Sequence, residues 1–180
     1  MDRRRAAAAI DEFLRAIGRD PAREASLQET GARVADAYAD LCSGYSQDPG
    51  ALLADNLIAQ NGGVIVLRDI AITTTCPHHL MPAWGTALVG YEAIGHILGV
   101  GAIARLVDVF ARRLTLQEQI GDEVAQSMWD HVHPKWVVCR LSMTHSCMTA
   151  RGDRRHGASL ATVALRGDRD AALRVMGPLA

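Results

Sequence analysis

From Val64 onward the apolar residues change period in a fixed order, and that order limits the fold more than any other property of the chain. Val64–Thr75 is rich in β-branched residues and reads as a strand that stops at Cys76-Pro77, because proline cannot donate to a sheet ladder. Residues 84–91 read as its antiparallel partner, across a loop containing Pro82. Residues 102–113 then place Ile103, Leu106, Val107 and Phe110 at helical spacing, and residues 116–129 repeat the pattern with Ile120, Val124 and Met128. Residues 136–150 and 158–165 return to strand character, joined by the polar loop 151–157. The succession predicts an α+β unit in which two long helices lie between two pairs of strands.

The first 62 residues read differently. Residues 4–17 carry Ile10, Phe13, Leu14 and Ile17 on one helical face with Gly18 as a C-cap, and residues 30–42 place Val34, Ala37, Tyr38 and Leu41 on another. A short helix is expected around residues 51–59, ending before Asn61-Gly62-Gly63. The expected division is therefore a helical region over 1–62 and a sheet-containing unit over 63–180. With 180 residues, 49% of them hydrophobic, the chain can bury one sizeable core.

The net charge is −1 and Lys135 is the only lysine, so no basic tract points to DNA or RNA. Met1-Asp2-Arg3-Arg4-Arg5 and the following alanines imitate a signal peptide until Asp11 and Glu12 interrupt them. No stretch approaches the roughly 18 apolar residues of a membrane helix, which predicts a cytoplasmic protein without membrane contact. In that compartment Cys42, Cys76, Cys139 and Cys147 stay reduced and are available for ligation or burial.

Two short clusters gather chemistry-bearing side chains, Thr75-Cys76-Pro77-His78-His79 and His145-Ser146-Cys147. A catalytic zinc ion takes three protein ligands and keeps one position open, so Cys76, His79 and Cys147 make a Cys₂His set. His78 and His145 are then left for proton transfer. On a strand through residue 150, Val137, Cys139, Leu141, Met143, His145 and Cys147 share one face, which ends in site candidates. The alternative is that Cys147 is a small buried hydrophobe and His145 a hydrogen-bonded core residue; for Cys139 burial is the preferred reading.

Beyond these clusters, the chain resembles the GTP cyclohydrolase I family from about residue 20 to residue 165. The resemblance is carried by Leu67-Arg68-Asp69-Ile70 through Cys76-Pro77-His78-His79-Leu80, by Ala104-Arg105-Leu106-Val107 with Arg112-Arg113-Leu114 and Leu116-Gln117-Glu118, and by His145-Ser146-Cys147-Met148 with Arg151-Gly152. Thr30, Arg33-Val34-Ala35 and Ser43-Gly44-Tyr45 are similar to its amino-terminal helical region. The resemblance implies a tunnelling fold (T-fold), a four-stranded antiparallel sheet with the two helices between its strand pairs, and a homo-oligomer, usually a toroidal decamer, with active sites at subunit interfaces. It implies zinc on Cys76, His79 and Cys147, proton transfer by His78 and His145, recognition of the guanine edge by a buried Glu118 with Gln117, and phosphate contacts by Arg105 and Arg151. The implied reaction opens the imidazole ring of GTP at C8, releases formate and yields 7,8-dihydroneopterin triphosphate. For Glu118 the residues also allow a structural reading, since Thr115-Leu116-Gln117-Glu118 fits a Thr-x-x-Glu capping box, and an exposed Gln117 at a helix start would need no function.

The chain departs from the family pattern in two places. Pro77 stands where the family has glutamate, leaving the three ligands intact, and Gly99-Val100-Gly101-Ala102 stands where it has Gly-Leu-Ser-Lys. No Lys or Arg lies between Arg33 and Arg68. Each charge-assisted hydrogen bond is worth about 1.5–3 kcal/mol, so losing two donors weakens a triphosphate site. Two alternatives to the GTP reaction follow: a paralogue acting on a purine nucleotide or nucleoside with fewer phosphates, and a non-catalytic oligomer that binds purine or pterin.

Overall fold

The computed structural model describes residues 1–152 and 154–176. Its contacts form two compact units, Met1–Ser43 and Gly44–Ala180. In the first unit, α1 (Arg3–Ala16) is capped by Asp2, whose carboxylate accepts from the Arg5 amide, and ends as expected before Gly18, which has a positive φ. It packs against α2 (Thr30–Leu41). There Gly31 is required, because a Cβ would run into the backbone of Ala7 and the carboxylate of Asp11.

The second unit begins at Gly44, ahead of the expected division at residue 62. Helix α3 (Pro49–Ala54) buries Leu53 completely in this unit's core. The Asp48 carboxylate caps α3 by accepting from the amides of Gly50 and Ala51. The helix stops earlier than the sequence suggests. Leu57–Ala59 is strand β1, drawn out of helical geometry by pairing with β4 (His96–Leu98).

The main sheet has the order β2-β3-β5-β6, with β2 (Val64–Thr75), β3 (Pro82–Glu92), β5 (Trp136–His145) and β6 (Leu160–Gly167), antiparallel throughout. Pro82, expected in a loop, is the first residue of β3, a position where its missing N–H costs no ladder bond. A bulge between Leu67 and Ile70 lets Asp69 adopt a positive φ. Between the strand pairs run α4 (Val100–Ala111) and α5 (Gln117–Val132), which lie on one face of the sheet. Every apolar position expected on their inner faces is buried, and Val137, Cys139, Leu141 and Met143 of β5 meet them from the sheet. Each such side chain contributes about 1.5–3 kcal/mol on burial, so this layer is the stabilising centre of the unit.

At one end of the sheet α7 (Arg169–Met176) covers Trp136 and Val138 through Ala172. Residues 177–180 lie outside the described residues. No helix among the described residues is long and apolar enough to cross a membrane.

Candidate functional site

The opposite end of the sheet carries the Cys and His clusters. Where β2 stops, residues 76–81 make a tight turn closed by two backbone bonds, Leu80 N to Cys76 O and Cys76 N to Met81 O, each 2.9 Å. The turn puts Cys76 and His79 side by side, with Sγ 3.8 Å from Nδ1. His78 stands next to that pair, its ring edge-on to His79 at 6.3 Å between centroids, and lines the same cavity. Pro77 occupies this turn, directly after the Cys76 donor.

Cys147 reaches the same place by a route the alternation did not predict. Strand β5 ends at His145, and Ser146–Thr149 is a single helical turn, α6. The turn is pinned by Ser146 Oγ, which donates to Pro82 O, and by Thr149 Oγ1, which donates to His145 O. Cys147 is therefore delivered by helical geometry rather than by sharing the β5 face. The donor atoms of Cys76, His79 and Cys147 all lie within 4.8 Å of one another, close enough to hold one metal ion. Burial pushes the Cys147 thiol up from its ordinary pKa, the adjacent Cys76 thiol pushes it further, and the Arg151 guanidinium pulls it back. Two thiols this close resist joint ionisation unless a cation offsets the charge. Cys139 is no part of this group: it is fully buried in the core, with its pKa raised to about 12 by burial.

These residues line a cavity of about 180 Å³ that also includes His145, Gln117 and Glu118. The Thr115–Glu118 capping box that the sequence also allowed does not form. Thr115 N donates to Thr75 O at 3.3 Å and Leu114 bridges Thr75, which holds this segment extended so that α5 starts only at Gln117. The residue three positions after the N-cap Leu116 is then Gln119, whose Oε1 accepts from Leu116 N and from Thr115 Oγ1, both at 3.2 Å. Glu118 is released from capping and stands on the cavity wall, exposed in the single chain rather than buried as the resemblance implied.

Gln117 differs from expectation in the other direction. Its side chain is 1% exposed, donates to the main chain of β5 and β6, and accepts from His145. This inward role carried no sequence signal, since a glutamine at a helix start is ordinarily solvated. The two arginines are not among the residues lining the cavity. Arg105 lies on the outer face of α4 with its guanidinium on Asn56 Oδ1 at 3.1 Å and Gly101 O at 3.3 Å, and Arg151 sits exposed after α6, near enough to act on Cys147.

A family profile described as GTP cyclohydrolase I matches residues 6–176. This chain belongs to the GTP cyclohydrolase I family. Among curated relatives, proteins named GTP cyclohydrolase 1 from Corynebacterium aurimucosum and Streptomyces griseus are each 41% identical to it, over 92% and 96% of this chain and 85% and 87% of theirs. The protein of that name from Nitrosospira multiformis is 42% identical over 87% of this chain and 82% of its own length. Among solved structures, an archaeosine synthase QueF-Like in the apo form matches with a TM-score of 0.50 at 17% identity, over 61% of this chain and 98% of that one. That likeness bears on the fold alone and agrees with the tunnelling fold expected for the family. Because the family match runs through both motif clusters and both central helices, the cavity described above lies in the part of the chain that the family shares.

Proposed function

We propose that this chain is a zinc-dependent GTP cyclohydrolase I, which opens the imidazole ring of GTP at C8, releases formate and forms 7,8-dihydroneopterin triphosphate. The observation that carries the reading is a single cavity in which three metal-competent donors stand beside two further imidazoles and a carboxylate. The donor set fits zinc. Thiolate and imidazole on a tetrahedral zinc ion sit about 3.6 Å apart, from bond lengths of roughly 2.3 and 2.05 Å, and Cys76 Sγ and His79 Nδ1 are 3.8 Å apart here. Cys76, His79 and Cys147 would hold the ion, which when bound supplies the Lewis acidity that makes water a nucleophile near neutral pH.

The chain's own residues supply the rest. C8 of a purine is a poor electrophile, so ring opening needs a proton on a ring nitrogen, and His145 with His78 stands where a proton can be given and taken back. Glu118 accepts the N1–H and 2-amino hydrogens of guanine, a pattern that a carboxylate meets with two acceptor oxygens and an amide does not. Arg151, beside Cys147, and Arg105, on α4, face phosphate. None of the described residues lining the cavity is Lys or Arg, which supports completion of the site by a neighbouring subunit in a homo-oligomer, a decamer by the family's habit. The sheet supports the same view, with β2 and β6 as its outer strands.

A second reading, a substrate with fewer phosphates, is favoured by the start of α4. Gly101 there has open space where a side chain would be, and Ala102 is 1% exposed and turned into the core, where the family carries serine and lysine. The test is formate release by zinc-loaded protein offered GTP, GDP, GMP and guanosine in parallel, with mass spectrometry of the products. Formate and a pterin triphosphate from GTP support the first reading, and turnover confined to the less phosphorylated compounds supports the second. Binding without turnover of any of the four overturns both and leaves a non-catalytic purine-binding oligomer.

A further inference from the structure

The Gln117 amide is held in one orientation by acceptors on β5 and β6. Its Nε2 lies 2.9 Å from Leu160 O, 3.1 Å from Thr162 Oγ1 and 3.3 Å from Leu141 O. Turning the amide over would set its oxygen against two carbonyl oxygens with no hydrogen between them, in a position 1% exposed. The orientation is thus dictated by β5 and β6, independently of the histidine on the other side. Oε1 then lies 2.9 Å from His145 Nε2. An amide oxygen only accepts, so Nε2 must be the donor.

From this geometry we infer that Gln117 is a positioning residue that locks the neutral His145 ring in its Nε2–H tautomer, so that Nδ1 is the atom through which His145 exchanges protons with a ligand in the cavity. The inference rests on the reading above that His145 moves protons, and adds which atom does so and what fixes it. In the forward step the Nδ1–H bond of the charged ring breaks as an N–H bond forms on a purine ring nitrogen, and the positive charge passes from imidazole to purine. In the return step the Nδ1 lone pair accepts a proton and the ring is charged again. Nε2 keeps its hydrogen in both states, so the bond to Gln117 persists and the ring has no need to flip between acting as acid and as base. The same assignment explains why a glutamine next to the guanine-reading Glu118 is turned inward: its amide supports the histidine and is not available to the base edge.

The direct test is spectroscopic. Solid-state ¹⁵N NMR of zinc-loaded protein labelled on histidine, with the His145 signals identified by difference against His145→Gln, reads which nitrogen carries hydrogen in the neutral ring. A hydrogen on Nε2 and a bare Nδ1 are expected; a hydrogen on Nδ1 overturns the inference. Gln117→Met keeps the side chain's length and removes the acceptor. It should give a mixture of tautomers and a kcat for formate release about 10- to 100-fold lower, the usual cost of removing the outer partner of a working histidine, with bound zinc and the KM for GTP unchanged. A Gln117→Met protein with the kcat and the single tautomer of the unsubstituted chain also overturns it. The two levels separate cleanly. Full turnover by His145→Ala refutes proton transfer by His145 whatever its tautomer, whereas an inactive His145→Ala together with an Nδ1–H ring refutes only the role given to Gln117.

Discussion

Glu118 and Gln119 are adjacent, similar in size and assigned unrelated tasks, so exchanging each in turn separates reading a base from starting a helix. Glu118→Gln removes a charge from the first turn of α5, where a carboxylate is worth about 0.3–1 kcal/mol through the helix dipole. It breaks no capping bond, because both belong to Gln119. Its melting temperature should fall by no more than about 2–4 °C at fixed protein concentration. In the site, the same change trades a charge-assisted acceptor pair for an amide and should cost about 1.5–3 kcal/mol of guanine binding, a loss of roughly 10- to 150-fold in affinity. Gln119→Ala should do the reverse: it removes the acceptor serving Leu116 N and Thr115 Oγ1, costs about 1–2 kcal/mol of stability and lowers the melting temperature by roughly 2–8 °C. Its affinity for guanine nucleotides should stay within about twofold, because Gln119 is not among the cavity-lining residues. Thermal melts and competition binding with a non-hydrolysable GTP analogue measure both proteins. Should Glu118→Gln melt early and bind normally, while Gln119→Ala melts normally, Glu118 would be the cap after all and its assignment to guanine would be wrong.

Cys147→Ala should lose bound zinc and turnover together, whereas His145→Ala should keep zinc and lose about 10²- to 10⁴-fold in kcat; zinc analysis beside the formate assay distinguishes them, and normal turnover by His145→Ala refutes the proton-transfer role. Cys139, buried with its pKa raised to about 12, should resist alkylation in the native protein at pH 8 and react only on unfolding, while Cys42 reacts early; peptide mass spectrometry after timed labelling reads this, and early Cys139 labelling would contradict its burial. Gly85→Ala should destabilise the sheet by about 3 kcal/mol, at the upper end of the range for overpacking, because the new Cβ would meet the Ser142 carbonyl oxygen and lie 2.7 Å from Met143 Cα; denaturant unfolding checks it, and an unchanged midpoint would mean that β3 and β5 can separate there.

Sequence pattern alone located most of this unit because its strongest signals are also its largest energies. The ends of β2 match the β-branched run, and the helical spacing of Ile103, Leu106, Val107 and Phe110 picks out side chains that are buried on α4. The metal-competent trio was legible for a chemical reason, since few other uses bring two thiols and an imidazole together. What stayed hidden was decided by contacts distant in the chain. Thr75 holds Thr115 extended and shifts the start of α5 by one residue, which moves capping from Glu118 to Gln119. β4 pulls Leu57 out of a helix, and Pro82 O binds the hydroxyl that anchors the turn carrying Cys147. Gln117 could not be read as buried at all, because the acceptors that make burial tolerable lie on strands that the sequence places 24 to 45 residues further on.

The polarity of the sheet has a practical use. Thr75, Pro82, His145 and Leu160, which bound the cavity end, are all strand termini, and the termini at the other end are Val64, Glu92, Trp136 and Gly167. Ten residues of β5 put about 30 Å between the two. A fluorophore, a surface tether or a fused domain attached beside α7 therefore sits about 30 Å from the cavity of its own chain, and the sole lysine, Lys135, ion-paired with Glu92, marks that far end.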